Sequence, residues 1–448
     1  MRCCRRPGSG SSCSRSCGWC ATRLAAFCRR HQLKRRGLLL LSLAAVLSLL
    51  LPDAPLSHHF LSEDSARQRL LSENEQRLQR SQRFLERYRA SVGGQPGLQP
   101  QPQPQPQPRS YPATRNDSPA AEVGVTVLTM ARGRRMAKGV VAYRTQYLTQ
   151  SVAGLLQLLN DTSLRRSYSL HICNVDDRPE LFAEAQLLED LLPSFKRYGA
   201  GTPRNSSSAA PPAVPPRVVW EKLKADYVYC LQQTLARGVR FALLVEDDAV
   251  AHSQLFRVLE HVLERVVEAP DARPVAYLKL YHPQRLLGYI SLEAERLTEL
   301  AALSLTLGAV LTLLTRSARH HQDGDDDDAR RSLLVAWAGW VVVIAVLALA
   351  AGRTNLLELR RLSPQLYQVT PTPSCCIPAV LWTRSGALGV SRYLLNVTCT
   401  ASRSTDIRMD EFREVSGARG LLVQPNLFSH IGLLSSLRTK EVSPLIVQ

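Results

Sequence analysis

No Asp or Glu occurs in the first 36 residues, and those residues hold ten of the chain's 56 Lys and Arg. Lys and Arg exceed Asp and Glu by 18 overall, so more than half of the net charge belongs to one tail. No later stretch carries a Lys/Arg stripe with interleaved aromatics, which excludes reading the basicity as a nucleic-acid footprint. A zinc finger is missing too, because no His/Cys pair follows Cys13, Cys17 and Cys20 at finger-like distance. "DGDDDD" at 323–328 lacks the loop pattern and terminal Glu of an EF-hand and reads as a solvated link.

What the chain does have is long apolar runs. "GLLLLSLAAVLSLLL" (37–51) follows "RRHQLKRR" and ends at Pro52. It reads as a signal-anchor with its basic side cytosolic, a cleaved signal peptide being the alternative. Two further runs lie at 300–315 and 333–352. Arg316, Arg319, Arg330 and Arg331 flank the link between them and put it in the cytosol. The expected organisation is therefore a cytosolic tail (1–36), an anchor (37–52), a lumenal stem (53–119), a first catalytic part (120–295), a transmembrane hairpin (296–353) and a second catalytic part (354–448). Sequons at Asn116, Asn160, Asn205 and Asn396 all fall in expected lumenal stretches. Six cysteines precede the anchor (Cys3, Cys4, Cys13, Cys17, Cys20, Cys28), where a reducing cytosol keeps thiols free. The lumenal Cys173, Cys230, Cys375, Cys376 and Cys399 are odd in number, so one at least lacks a partner within the chain.

Residues 61–90 are rich in helix formers, with Leu71, Leu78 and Leu85 seven apart, and read as a solvated stem helix. The Gln-Pro repeat at 95–108 dictates extended chain. Beyond it, strands at 123–130 and 168–177 alternate with helices at 146–159, 178–195 and 221–238. Such alternation implies a parallel sheet with helices on its faces. "FALLV" (241–245) is a buried strand that runs into Glu246, Asp247 and Asp248. Carboxylates at a C-terminal strand edge suit Mn²⁺ or Mg²⁺, because hard oxygen donors leave positions open for phosphate. Later come a strand-rich segment at 363–382, a helix at 405–417 beginning with Thr405 and Asp406, and a strand followed by a turn that holds His430.

The acid cluster resembles the metal-binding motif of nucleotide-sugar glycosyltransferases with the open α/β A-type fold. "LLVEDDA", "LKLYHPQRLLGY", "ELRRLSPQLY", "SCCIPAVL" and "PNLFSHIGLLSSL", with a hairpin between the second and third, resemble the post-GPI-attachment family of N-acetylgalactosamine transferases across 120–440. This resemblance implies a Golgi membrane enzyme using UDP-GalNAc to modify the first mannose of glycosylphosphatidylinositol (GPI) anchors, with inversion. It implies metal ligands Glu246, Asp248 and His430, and a base at Asp406, with Glu411 and Asp410 as alternatives. Asp247 would bind ribose or order the metal shell, Asp176 and Asp177 would contact uridine, and Arg438 would contact diphosphate. The motif and His loop also fit N-glycan-branching N-acetylglucosaminyltransferases, and a membrane scaffold that has lost catalysis is the third reading.

Overall fold

The computed structural model describes residues 40, 42–46, 63–92, 121–132, 144–161, 163–199, 218–269, 273–289, 294–317, 326–435 and 442–443. The basic tail with its six cysteines, most of the 37–52 run, the Gln-Pro repeat, Asn116, Asn205 and Arg438 lie outside the described residues.

Two compact units divide the chain. One includes Gly288–Leu356. Its helices Ala294–Ser317 and Asp326–Ala351 contain stretches of 21 and 22 residues apolar enough to cross a bilayer. At about 1.5 Å rise per residue these lengths match a hydrocarbon core of about 30 Å. The helices pack closely where Gly308 meets Val341: a Cβ on Gly308 would sit 2.8 Å from the valine side chain. Trp337 Nε1 donates to Leu305 O at 3.3 Å, and Arg353 pairs with Glu299 at 2.8 Å, so the helices run antiparallel.

The other unit comprises Leu61–Leu287 and Leu357–Gln448. Its sheet has eight strands: β1 (Val123–Thr129), β2 (Tyr168–Asn174), β3 (Ser194–Lys196), β4 (Phe241–Glu246), β6 (Val275–Lys279), β7 (Gln368–Pro371), β8 (Ala379–Thr383) and β9 (Arg419–Gln424). Their order is β3-β2-β1-β4-β8-β6-β9-β7. Six strands share one direction, while β7 and β8 oppose their neighbours. A separate antiparallel pair joins β5 (Ala249–Ala251) to β10 (Phe428–His430). Apolar side chains of β1 and β4 alternate between two cores. Val123, Val125, Val127, Leu243 and Val245 join helix Tyr147–Leu159 on one face, while Ala242 and Leu244 join helices Val219–Leu235 and Arg384–Leu395 on the other.

Two sequence expectations change. The segment expected to be helical to 195 stops at Glu189, and Ser194–Lys196 adds to the sheet beside β2, because Pro193 cannot continue a helix. The helix Glu63–Val92 is not solvated all round. Ala66, Leu70, Leu78 and Leu85 form a buried stripe at helical spacing, and Asn74 donates to Arg144 O while accepting from Gln150 Nε2 at 2.8 Å. Heptad leucines identified the helix, but its intervening polar residues hid the buried face.

Candidate active site

The C-terminal edges of β1, β2, β4 and β6 bring together the side chains with chemical potential. β4 ends at Glu246, whose N–H donates to Pro378 O at 2.7 Å, and the chain turns through Asp247 and Asp248 into β5. Pairing of β5 with β10 sets Ala249 opposite His430, and Ile431 N–H donates to Asp248 O at 2.8 Å. This small ribbon carries a residue from the end of the chain to the acid loop, with His430 Nε2 3.1 Å from Asp248 Oδ2.

A residue absent from the sequence expectation occupies the centre. Arg132, just beyond β1, contacts Asp247 Oδ1 through Nη2 at 2.6 Å and Asp248 Oδ2 through Nη1 at 2.6 Å. Nη1 also donates to Leu434 O at 3.0 Å, and Thr129 Oγ1 donates to Asp247 Oδ2 at 2.7 Å. Its one available signal was a cation two positions past a strand whose neighbour ends in three acids. Two carboxylates thus share one buried guanidinium. Burial disfavours the charge on Asp248, but Arg132 and His430 outweigh it and hold this carboxyl well below the usual range. Burial and the charge of Asp248 push Glu246 up to about 7, while Asp248 raises His430 despite burial.

Fit to a divalent ion follows from the donors. Among the described residues no three His, Cys, Asp or Glu side chains form a ready-made metal cluster. Asp248 Oδ1, however, is buried and has no hydrogen-bond partner among the described residues, and such a carboxylate oxygen beside Glu246 and His430 suits a hard cation. Glu246 and His430 keep partial exposure, so the open side of the loop is theirs.

Crowding here is close. A Cβ on Gly432 would lie 2.1 Å from Asp248 Oδ2. Gly432→Ala is expected to displace that carboxylate, lowering activity at least tenfold and costing about 1–3 kcal/mol by overpacking. Parallel assays of turnover and thermal unfolding check this; wild-type turnover would contradict the described packing.

The other expected residues separate into distinct settings. Asp176 at the end of β2 is buried, accepting from Ala131 N and Arg178 N, both at 2.8 Å. Asp177 is exposed and 3.1 Å from Lys222 Nζ. Asp406 opens helix Thr405–Ser416, half-buried, with Cys376 N donating to its Oδ2 at 3.2 Å and Ser404 Oγ donating to Oδ1. Asp410, one turn later, is buried against Lys279 and Tyr277. Glu411 is held by Arg408 at 2.5 Å and by Tyr393. Of the three candidate bases, Asp406 is the one with partial exposure and no ion pair within bonding distance among the described contacts. Cys173–Cys230 and Cys375–Cys376 are disulfides, and Cys399 is free and buried.

Comparison with known proteins identifies the family over more than half of the chain. The family described as GPI-N-acetylgalactosamine transferase PGAP4 matches residues 123–429. Among solved structures, a UDP-glucose pyrophosphorylase mutant from Leishmania major aligns at 14% identity with a TM-score of 0.19, covering 35% of each chain. The chain thus spans about a third of that enzyme's length.

Proposed function

Because this chain belongs to the GPI-N-acetylgalactosamine transferase PGAP4 family, we propose that it is a metal-dependent inverting glycosyltransferase. It transfers N-acetylgalactosamine from UDP-GalNAc to the first mannose of GPI anchors, as a multi-pass Golgi membrane protein with its catalytic unit lumenal. The observation that carries the reading is the approach of His430 to the acid loop after β4, at 3.1 Å from Asp248. An acid cluster at a strand's carboxyl edge is where open α/β sheets bind ligands.

Mn²⁺ or Mg²⁺, held by Glu246, Asp248 and His430, would supply charge neutralisation for the departing UDP. Asp406 accepts the proton of the acceptor hydroxyl as its oxygen bonds to the anomeric carbon and the bond from that carbon to UDP breaks. Attack opposite the leaving group converts an α-linked donor into a β-linked product. Asp247, locked by Thr129 and Arg132, orders the acid loop or meets the ribose. Asp177 presents the exposed carboxylate of the Asp176–Asp177 pair to uridine, and Arg438 meets the diphosphate. The two membrane-length helices interrupt the catalytic unit between β6 and β7. Holding enzyme and glycolipid in one bilayer lowers the entropic cost of acceptor capture.

The test is a panel of UDP-sugars offered with Mn²⁺ and a mannose-bearing GPI fragment to the detergent-purified chain. Metal-dependent transfer restricted to UDP-GalNAc is expected. Turnover of UDP-N-acetylglucosamine instead would favour the branching-type enzyme, and no turnover of any donor would favour an inactive scaffold.

A further inference from the structure

Cys375 and Cys376 are joined to each other and sit in the turn that leads into β8. Both have left-handed backbone angles, φ 80° and 69°, which residues with a Cβ rarely adopt. Successive residues in this conformation turn their N–H groups to one side. Cys375 N donates to Asp410 Oδ2 at 3.3 Å, and Cys376 N donates to Asp406 Oδ2 at 3.2 Å. From below, Lys279 Nζ donates to Cys375 O at 2.8 Å and Pro373 O at 3.0 Å, and lies 3.8 Å from Asp410 Oδ1. The turn therefore spans two acids on one helix, with a lysine from β6 closing the bracket. It shares a sheet edge with the acid loop, because the next residues place Pro378 O on Glu246 N at 2.7 Å.

We propose that the Cys375–Cys376 ring is a positioning element for the acceptor-activating carboxylate: by holding two adjacent residues left-handed, it aims the Cys376 N–H at Asp406 and fixes that oxygen pair at the sheet edge. The inference rests on the reading of Asp406 as the base. Opening the ring removes the covalent constraint on both backbone angles, and ordinary residues then revert toward right-handed or extended backbone. Asp406 then loses the Cys376 N–H and keeps the Ser404 hydroxyl as donor. A carboxylate held by fewer donors spends less time in the geometry that meets the acceptor hydroxyl. The loss therefore falls on kcat, while donor binding, which the ring does not touch, is kept.

The experiment uses the full chain in detergent. A trialkylphosphine takes an oxygen from water while the disulfide gains two electrons and two protons, giving two thiols. Cys375 and Cys376 are half-buried, whereas Cys173 and Cys230 are fully buried, so the vicinal pair is expected to open first. Mass spectrometry of alkylated peptides checks that selectivity, and Cys375→Ser/Cys376→Ser provides the same opening without reductant. Expected are a fall in kcat of about tenfold and a donor KM within about twofold of wild type. Reoxidation of the reduced protein is expected to restore kcat. Asp406→Asn, assayed beside it, separates the two ideas. If Asp406→Asn is inactive but the opened protein keeps wild-type kcat, the positioning role is overturned and the base assignment stands. If Asp406→Asn retains wild-type turnover, the base assignment fails and the positioning role with it.

Discussion

Asp248→Asn is expected to cut transfer by roughly a thousandfold. Asp248 is the acid that meets both His430 and Arg132, and its Oδ1 is a buried oxygen without a hydrogen-bond partner among the described residues. Metal assistance is worth several kcal/mol of charge stabilisation, and about 1.4 kcal/mol corresponds to a factor of ten. The amide keeps the shape but forfeits the charge, so a bound divalent ion loses its best donor. Arg132 retains Asp247 as a partner at 2.6 Å, which keeps the fold's charge balance largely intact. Turnover at saturating UDP-GalNAc, with Mn²⁺ affinity by calorimetry, reads both effects. A variant within threefold of wild type on both counts would sink the assignment of Asp248 as a metal ligand.

Arg132→Met has the opposite profile, acting first on stability. Removing one partner from a buried ion pair costs about 3–5 kcal/mol, because the remaining charge stays buried uncompensated. Here two acids within salt-bridge distance are left, and both are almost fully buried. In the wild type, Asp248 is held below its ordinary pKa, so its contribution is present above the unfolded value and fades as pH falls through the folded one. Without the guanidinium, burial raises the same carboxyls. Their effect is then most unfavourable at neutral pH and diminishes toward about pH 4, where the unfolded acids also protonate. The variant's deficit in melting temperature is therefore expected to be largest near pH 7–8 and to shrink on acidification, and millimolar Mn²⁺ is expected to recover part of it at neutral pH. A pH-independent deficit, or none, would show that Arg132 is not the counter-charge of this loop.

The order of strands and helices along the catalytic unit was legible because buried strands and amphipathic helices leave different periods. "FALLV" followed by acids marks both β4 and its functional end. Less visible were features set by partners distant in the chain. Nothing in 363–382 reveals that β8 runs against both β4 and β6. The vicinity of His430 to Asp248 was expected through family resemblance, yet its physical cause, the β5–β10 ribbon, involves strands of three residues too short for a periodic signal. Arg132 escaped for a similar reason: "MARGR" reads as the end of a strand, and only the fold brings it between two carboxylates. The polar face of Glu63–Val92 misled in the other direction, since Asn74 and Arg77 on that face bond to the body of the unit.

The strand order also dictates when the protein can be finished during its own synthesis. β1 to β4 can pair as soon as they emerge, but β6 has only β8 and β9 for neighbours. Both follow the two membrane-length helices in the chain. The interval from Lys279 to Ala379 is about 100 residues, or roughly 5–20 s at ribosomal rates of 5–20 residues per second. Through that interval the edges of β4 and β6 remain unpaired, each a template for wrong partners. Completion of this sheet thus waits on the ribosome and on passage of the two membrane-length helices, so the time its edges spend open is set by the length of chain between β6 and β8.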